Sequence, residues 1–233
     1  MSTVGNWQGP GIVRDDSLVI YINPNSPNCY YPQSGSVVNN MGNQLYRSYT
    51  VTYYTGSLSS ASFNTVDKTF DYRFRLAGGG GARLTVDYTI QTTIFYPTGS
   101  PNTTYPFDIV FTTQVGSGTG IGIFLHPTLN QSWLVLAGGT RLTLSNIPRN
   151  QWFNLAFTKE GSSLKGYING VLAGTASFAN TNPYDPIFFG STGGSLALQN
   201  YFIRAADLLA YSRALSADQI MQNKTALGAR FGL

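Results

Sequence analysis

Between Trp152 and Ala173 the chain spells out consecutive antiparallel strands, and this limits the folds it can enter. The run Trp152-Phe153-Asn154-Leu155-Ala156-Phe157-Thr158 has strand character, and Lys159 to Ser163 reads as a turn. A second strand passes through Tyr167-Ile168 into Asn169-Gly170, a dipeptide favoured in tight two-residue turns. Val171-Leu172-Ala173 continues beyond it. One short helix is expected afterwards. Ser216 can cap its free N–H groups while Gln219 reaches back, a capping box, and Asp218 suits the positive helix end. Gly228 is the expected stop, and Ile220, Met221 and Leu227 supply an apolar edge for packing.

The rest of the chain repeats the strand signal. Leu18-Val19-Ile20-Tyr21-Ile22 fits a buried strand, and Tyr49 to Tyr54 alternates polar and apolar residues. Phe70, Tyr72, Phe74 and Leu76 share one face of a run, as do Leu84, Val86, Tyr88 and Ile90 after the glycines 78–81. Those two runs are expected to pair as a hairpin. Further strands are predicted at Phe107 to Gln114, Ile121 to Leu125, Trp133 to Ala137 and Arg141 to Ser145. Asn23 to Asn43, Tyr96 to Tyr105 and Asn180 to Pro186 read as turn-rich loops. Short strands at such spacings predict a two-sheet antiparallel β-sandwich, all-β apart from the C-terminal helix. The expected layout is an arm over residues 1–12 and one domain over 13–233.

Composition narrows the function. Only 10% of the residues are charged, and the net charge of +4 is scattered along the chain. Nucleic-acid binders concentrate basic groups on one face, so nucleic acid is not an expected partner. No apolar run is long enough for a membrane-spanning helix and no signal peptide is evident, so neither membrane nor export is expected. Cys29 is the only cysteine, which rules out an internal disulfide. A surface of Ser, Thr, Asn, Gly and Tyr costs little to desolvate, which suits contact with identical copies or with glycans.

Several blocks carry a resemblance. Trp152 opening a strand, Tyr167-Ile168-Asn169-Gly170, Phe188-Phe189-Gly190-Ser191 and the closing Tyr211-Ser212-Arg213-Ala214-Leu215-Ser216-Ala217-Asp218-Gln219-Ile220 resemble laminin-G-like domains. These belong to the concanavalin A-like superfamily of jelly-roll sandwiches. Gly11-Ile12-Val13 and Leu18-Val19-Ile20-Tyr21-Ile22-Asn23 resemble the opening strand of such domains in tailed-phage structural proteins. The resemblance implies a virion component assembled in the host cytoplasm, first of all a capsid decoration or cement protein. Its partners would be the major capsid protein, other virion proteins and copies of itself. The second implication is a carbohydrate-binding module of a phage tail or fibre. Laminin-G-like domains often hold calcium on an aspartate and backbone carbonyls, and Asp185 and Asp108 would be its ligands here. The nine aspartates form no dense cluster, so no cofactor is expected.

Catalysis is not expected either. Glycoside hydrolysis needs two carboxyls at a set separation, and relatives that cleave glucans carry Glu-x-Asp-x-Glu along one strand. Here the sole glutamate, Glu160, falls in a predicted turn, and Asp15 and Asp16 would face opposite sides of a strand. His126, the only histidine, precedes Pro127 and no Gly-x-Ser-x-Gly elbow accompanies it. The glycines 78–81 lack the Lys-Ser or Lys-Thr of a phosphate loop. The candidate contacts to a glycan or protein are the loop tyrosines Tyr30, Tyr31, Tyr96, Tyr105 and Tyr184, whose rings can stack while their hydroxyls bond.

Overall fold

Apolar side chains at every second position force strands to pack face to face, and the computed structural model has that architecture. It describes residues 11–23, 37–39, 48–51, 62–64, 69–71, 74–77, 86–98, 108–113, 121–126, 129–136, 141–179, 187–189 and 203–233. In chain order the strands are β1 (Leu18–Ile22), β2 (Val37–Asn39), β3 (Ser48–Val51), β4 (Ser62–Asn64), β5 (Thr69–Asp71), β6 (Phe74–Ala77), β7 (Tyr88–Phe95), β8 (Asp108–Thr113) and β9 (Ile121–His126). They continue with β10 (Gln131–Leu136), β11 (Arg141–Ser145), β12 (Trp152–Glu160), β13 (Ser163–Ile168), β14 (Val171–Ser177), β15 (Ile187–Phe189), β16 (Arg204–Ala205) and β17 (Leu208–Tyr211). Helix α1 (Ala217–Gly228) follows.

Two sheets result, both antiparallel among the described residues. One has nine strands in the order β14-β13-β12-β7-β16-β5-β4, with β17 also paired to β7 and β1 paired to β17. The other has eight, in the order β11-β10-β9-β8-β15-β6-β3-β2. Tyr88, Ile90 and Ile94 of β7 and Phe153, Leu155 and Phe157 of β12 point into the space between the sheets. There they join Ile121, Ile123, Leu125, Leu134, Leu142 and Leu144. The β13–β14 turn is closed by Asn169 at φ 52° and Gly170 at φ 80°, both left-handed, as the two-residue turn requires.

The nine-stranded sheet is covered on its outer face as well. Ile220 and Leu227 of α1 meet Ile12, Val13, Leu18, Tyr21, Ala156, Tyr167, Leu209, Tyr211 and Leu215 in a second apolar cluster. Beneath it lies a closed polar network. Gln91 Nε2 donates to Asn154 Oδ1 at 2.8 Å and to Ile220 O at 2.9 Å. Asn223 Nδ2 donates to Gln91 Oε1 at 2.9 Å and to the Tyr211 hydroxyl at 3.0 Å, and its Oδ1 accepts from Val13 N at 2.7 Å. Polar groups cut off from water are tolerated when bonded in this way. Covering both faces explains why seven of the eight residues of β7 are buried.

Some expectations need correction. Phe70 to Leu76 is not one strand: β5 belongs to the nine-stranded sheet and β6 to the eight-stranded one, so the chain crosses between layers there. The hairpin with the run ending at Ile90 therefore does not form, and β7 pairs with β12, β16 and β17 instead. Strand β2 lies inside the segment expected to be turns only. Ile12, assigned to the arm, is buried against α1, while residues 1–10 lie outside the described residues. The capping box at Ser216 and Gln219 is present, but Gly228 keeps a right-handed conformation. The chain continues through a 3-10 turn, Ala229–Phe231, and the left-handed residue is Gly232 at φ 74°. That extra turn delivers Arg230 and Phe231 to the sheet.

Candidate functional site

The pleat puts Trp152, Asn154, Ala156 and Thr158 on the outer face of β12, opposite Phe153, Leu155 and Phe157. On β7 the outer set is Thr89, Gln91, Thr93 and Phe95. Antiparallel register aligns Trp152 with Phe95, Phe95 with Arg204 on β16, and Arg204 with Asp71 on β5. Where α1 and the polar network leave the sheet, this row surfaces. The Phe95 and Trp152 rings lie 5.7 Å apart at 60°, and Phe231 stacks on Trp152 at 4.0 Å and 26°. Arg204 sits 5.8 Å from the Phe95 centroid and Arg230 4.5 Å from that of Phe231. The three rings are half-buried and both arginines exposed. Half-exposed rings beside guanidinium donors can take the C–H face of a sugar ring and bond its oxygens.

Behind the row sits a buried acid. Asp207 is 1% exposed; its Oδ1 accepts from Thr93 N at 2.8 Å, and its Oδ2 has no hydrogen-bond partner among the described residues. Burial drives its carboxyl up to about 6, against the opposing pull of the Thr93 bonds and the Arg230 charge. Arg230 reaches the same place, donating from Nη2 to Ala206 O at 3.1 Å. The folded protein thus holds this proton more tightly than the unfolded chain does. Stability from this group is complete below about pH 4 and is lost as pH rises through 6, by about 3 kcal/mol in all. His126 acts in the opposite sense, because burial lowers its pKa below 6.5 and its stabilisation is lost as pH falls. The difference between wild type and Asp207→Asn isolates the acid. Thermal denaturation from pH 4.5 to 7.5 should show wild type losing stability relative to the variant as pH rises, and parallel profiles would refute the assignment.

The residues singled out from sequence fall elsewhere. Tyr96, expected on a loop surface, is fully buried in the core, with Arg149 3.8 Å above its ring, so it offers no face to a ligand. The strand ends one residue earlier at Phe95, and the pleat turns Tyr96 inward. Tyr30, Tyr31, Tyr105, Tyr184 and Asp185 lie outside the described residues, and Asp108 opens β8 with its side chain outside them. Glu160 is the exposed last residue of β12 rather than part of the turn. Asp15 sits before β1; burial pushes its carboxyl up, but bonds from Ser17 and Arg213 outweigh this and hold it below the usual value. His126 Nδ1 accepts from Leu129 N at 3.1 Å, a structural role. Among the described residues no three His, Cys, Asp or Glu side chains gather as a metal-holding group. Nor is any described helix long and apolar enough to cross a membrane. Trp152 was visible in the sequence as a strand opener whose outward neighbours, Asn154 and Thr158, are polar. Its partners Phe95, Arg204 and Phe231 carried no comparable signal.

Comparison with known proteins agrees with this architecture. No curated protein matches the chain in sequence. Among solved structures, the binding domain of botulinum neurotoxin serotype D/C VPI 5993 is similar at a TM-score of 0.66 and 15% identity, over 91% of this chain and 52% of that one. The binding domain of Paraclostridial Mosquitocidal Protein 1 gives 0.61 and 16%, over 91% and 52%. Botulinum neurotoxin type C, whose cell entry depends on interaction with two ganglioside molecules, gives 0.60 and 17%, over 91% and 52%. The chain spans about half the length of each of these chains. The family model described as Concanavalin A-like lectin/glucanases superfamily matches residues 83–221, more than half of the sequence. That stretch holds β7 to β17 and the start of α1, and by it the chain belongs to the concanavalin A-like lectin/glucanase superfamily.

Proposed function

We propose that this chain is a non-catalytic carbohydrate-binding module, and that the Trp152–Phe95–Phe231 cluster contacts the glycan. The observation that carries the reading is that cluster: three half-buried rings, Phe95 tilted against Trp152 on the sheet and Phe231 stacked on Trp152 from the turn after α1, with guanidinium groups beside them. Toxin binding domains with this fold, one tied to ganglioside interaction, favour a glycan over a capsid protein as partner. The order of the two sequence-based readings is thereby reversed.

Carriage on a phage tail or fibre is the setting we propose, from the phage-like opening strand and the closing block around Tyr211 to Ile220. Several copies would turn weak individual sites into firm attachment. Strand β14 ends its sheet among the described residues, and its exposed Val171 and Leu172 offer a surface for such self-association.

A glycan array with the purified chain tests the reading. Binding should appear and should weaken about fivefold or more in Trp152→Ala, the loss that a ring contact of roughly 1 kcal/mol or more predicts. An array without hits, or hits indifferent to Trp152, would count against it. Co-sedimentation with assembled capsids in the absence of sugar binding would restore the cement reading.

A further inference from the structure

Three arginines at this end of the sheet each lie over an aromatic ring: Arg149 over Tyr96, Arg204 over Phe95 and Arg230 over Phe231. Of the 14 Lys and Arg in 233 residues, three fall at this end of the described sheet. A guanidinium stacked on a ring uses its flat face for that contact, leaving the N–H groups in its plane able to bond elsewhere.

The negative charge nearby is placed differently. Asp207 is buried at 1% exposure, while Arg230 beside it is exposed, so the acid offsets charge without offering its oxygens to solvent. Asp71 is the next register position beyond Arg204. Arg204 itself is exposed, and a guanidinium carries five N–H donors, more than one bidentate partner takes up. From β12 towards β5 the row thus runs ring, ring, guanidinium, with Phe231 stacked on Trp152 and Arg230 over Phe231.

We propose that this row is a subsite for a carboxylated pyranose, a sugar ring bearing an acid group. The C–H face of the ring lies against the exposed parts of the stacked Trp152–Phe231 pair and of Phe95. The carboxylate accepts hydrogen bonds from Arg204, and Arg230 adds a second positive charge. This rests on the carbohydrate-binding reading and adds the charge class of the ligand. A neutral sugar gains the ring contact and neutral hydrogen bonds, whereas a carboxylate gains charge-assisted bonds about twice as strong.

The test titrates the full chain with a sialylated trisaccharide and with the neutral disaccharide left when the sialic acid is removed. Calorimetry would be run at low salt and at about 0.5 M salt, where charge attraction is screened within a few ångströms. The trisaccharide should bind roughly tenfold tighter at low salt, with the advantage shrinking at high salt. Arg204→Gln, an exposed substitution whose folding is checked by its thermal midpoint, should bring the two affinities together. Equal affinities in the wild type, or a full advantage kept by Arg204→Gln, overturns the acidic-sugar assignment while carbohydrate binding stands. A chain that binds neither sugar, and nothing on a broad array, overturns both.

Discussion

Replacing Gly166 by valine should lower the unfolding free energy by about 3 kcal/mol, although valine is the better strand former. Gly166 lies on β13 with its missing side chain directed into the sandwich. A Cβ there would come within 2.7 Å of Leu144 Cδ2, 2.8 Å of Leu144 Cδ1 and 3.0 Å of Phe157 Cε1. Both neighbours are fully buried, so neither can swing aside into solvent. Gly174 on β14 repeats the arrangement, with its Cβ position 2.9 Å from the same leucine methyl. The two glycines form a trough for Leu144, which lets β11 of one sheet close onto the edge of the other. Urea denaturation of Gly166→Val, Leu144→Ala and the double variant checks this. The double variant should be more stable than the sum of the single losses implies, by about 1–3 kcal/mol, because valine fills volume the leucine vacates. A Gly166→Val protein as stable as wild type would show that the edge is not closed in this way.

Asn223→Leu should cost about 3–5 kcal/mol, from the loss of bonds to groups that stay buried. Leucine keeps the volume but makes none of the three hydrogen bonds. Val13 N–H and Gln91 Oε1 then lose the partners that shield them from burial unpaired. The Tyr211 hydroxyl keeps its donation to Val13 O at 3.0 Å, and burial raises its pKa so that it remains a neutral donor. The loss reaches further than stability. Asn223 anchors the middle of α1, and the turn after α1 carries Phe231 onto Trp152. Sugar affinity should fall in Asn223→Leu at temperatures where the sandwich is still folded, although Asn223 lies outside the proposed contact surface. Denaturation and glycan titration together test both parts. A variant with wild-type stability would mean that the network contributes nothing net.

Much of the fold was legible in the chain. The strands expected at Phe107 to Gln114, Ile121 to Leu125, Trp133 to Ala137, Arg141 to Ser145 and Trp152 to Thr158 match β8 to β12 to within two residues at each end. Asn169-Gly170 marked the hairpin through its left-handed turn, and Ser216 with Gln219 marked the helix start through its cap. Each is a local effect, set by residues within a few positions of one another. The errors came where tertiary context overrode a local pattern. Phe70 to Leu76 alternates well enough for one strand, yet the sandwich needs a crossing there. Tyr96 looked like a loop aromatic beside Pro97, yet one more pleat turns it into the core. Gly228 looked like a stop, yet at that position a Cβ would lie 2.8 Å from Leu233, so closeness rather than a left-handed turn accounts for the glycine.

What the sequence determined by itself was the predominance of strands, the turn at Asn169-Gly170 and the capped helix, because these depend on neighbours in the chain. Only the tertiary structure decided that Trp152, Phe95, Arg204 and Phe231 meet. They come from segments far apart in sequence, and no short-range preference distinguishes their partners. Pairing of β7 with β12 and β16, and the docking of α1 over Gln91 and Asn154, follow from burying both faces of one sheet at once. That condition involves the whole molecule.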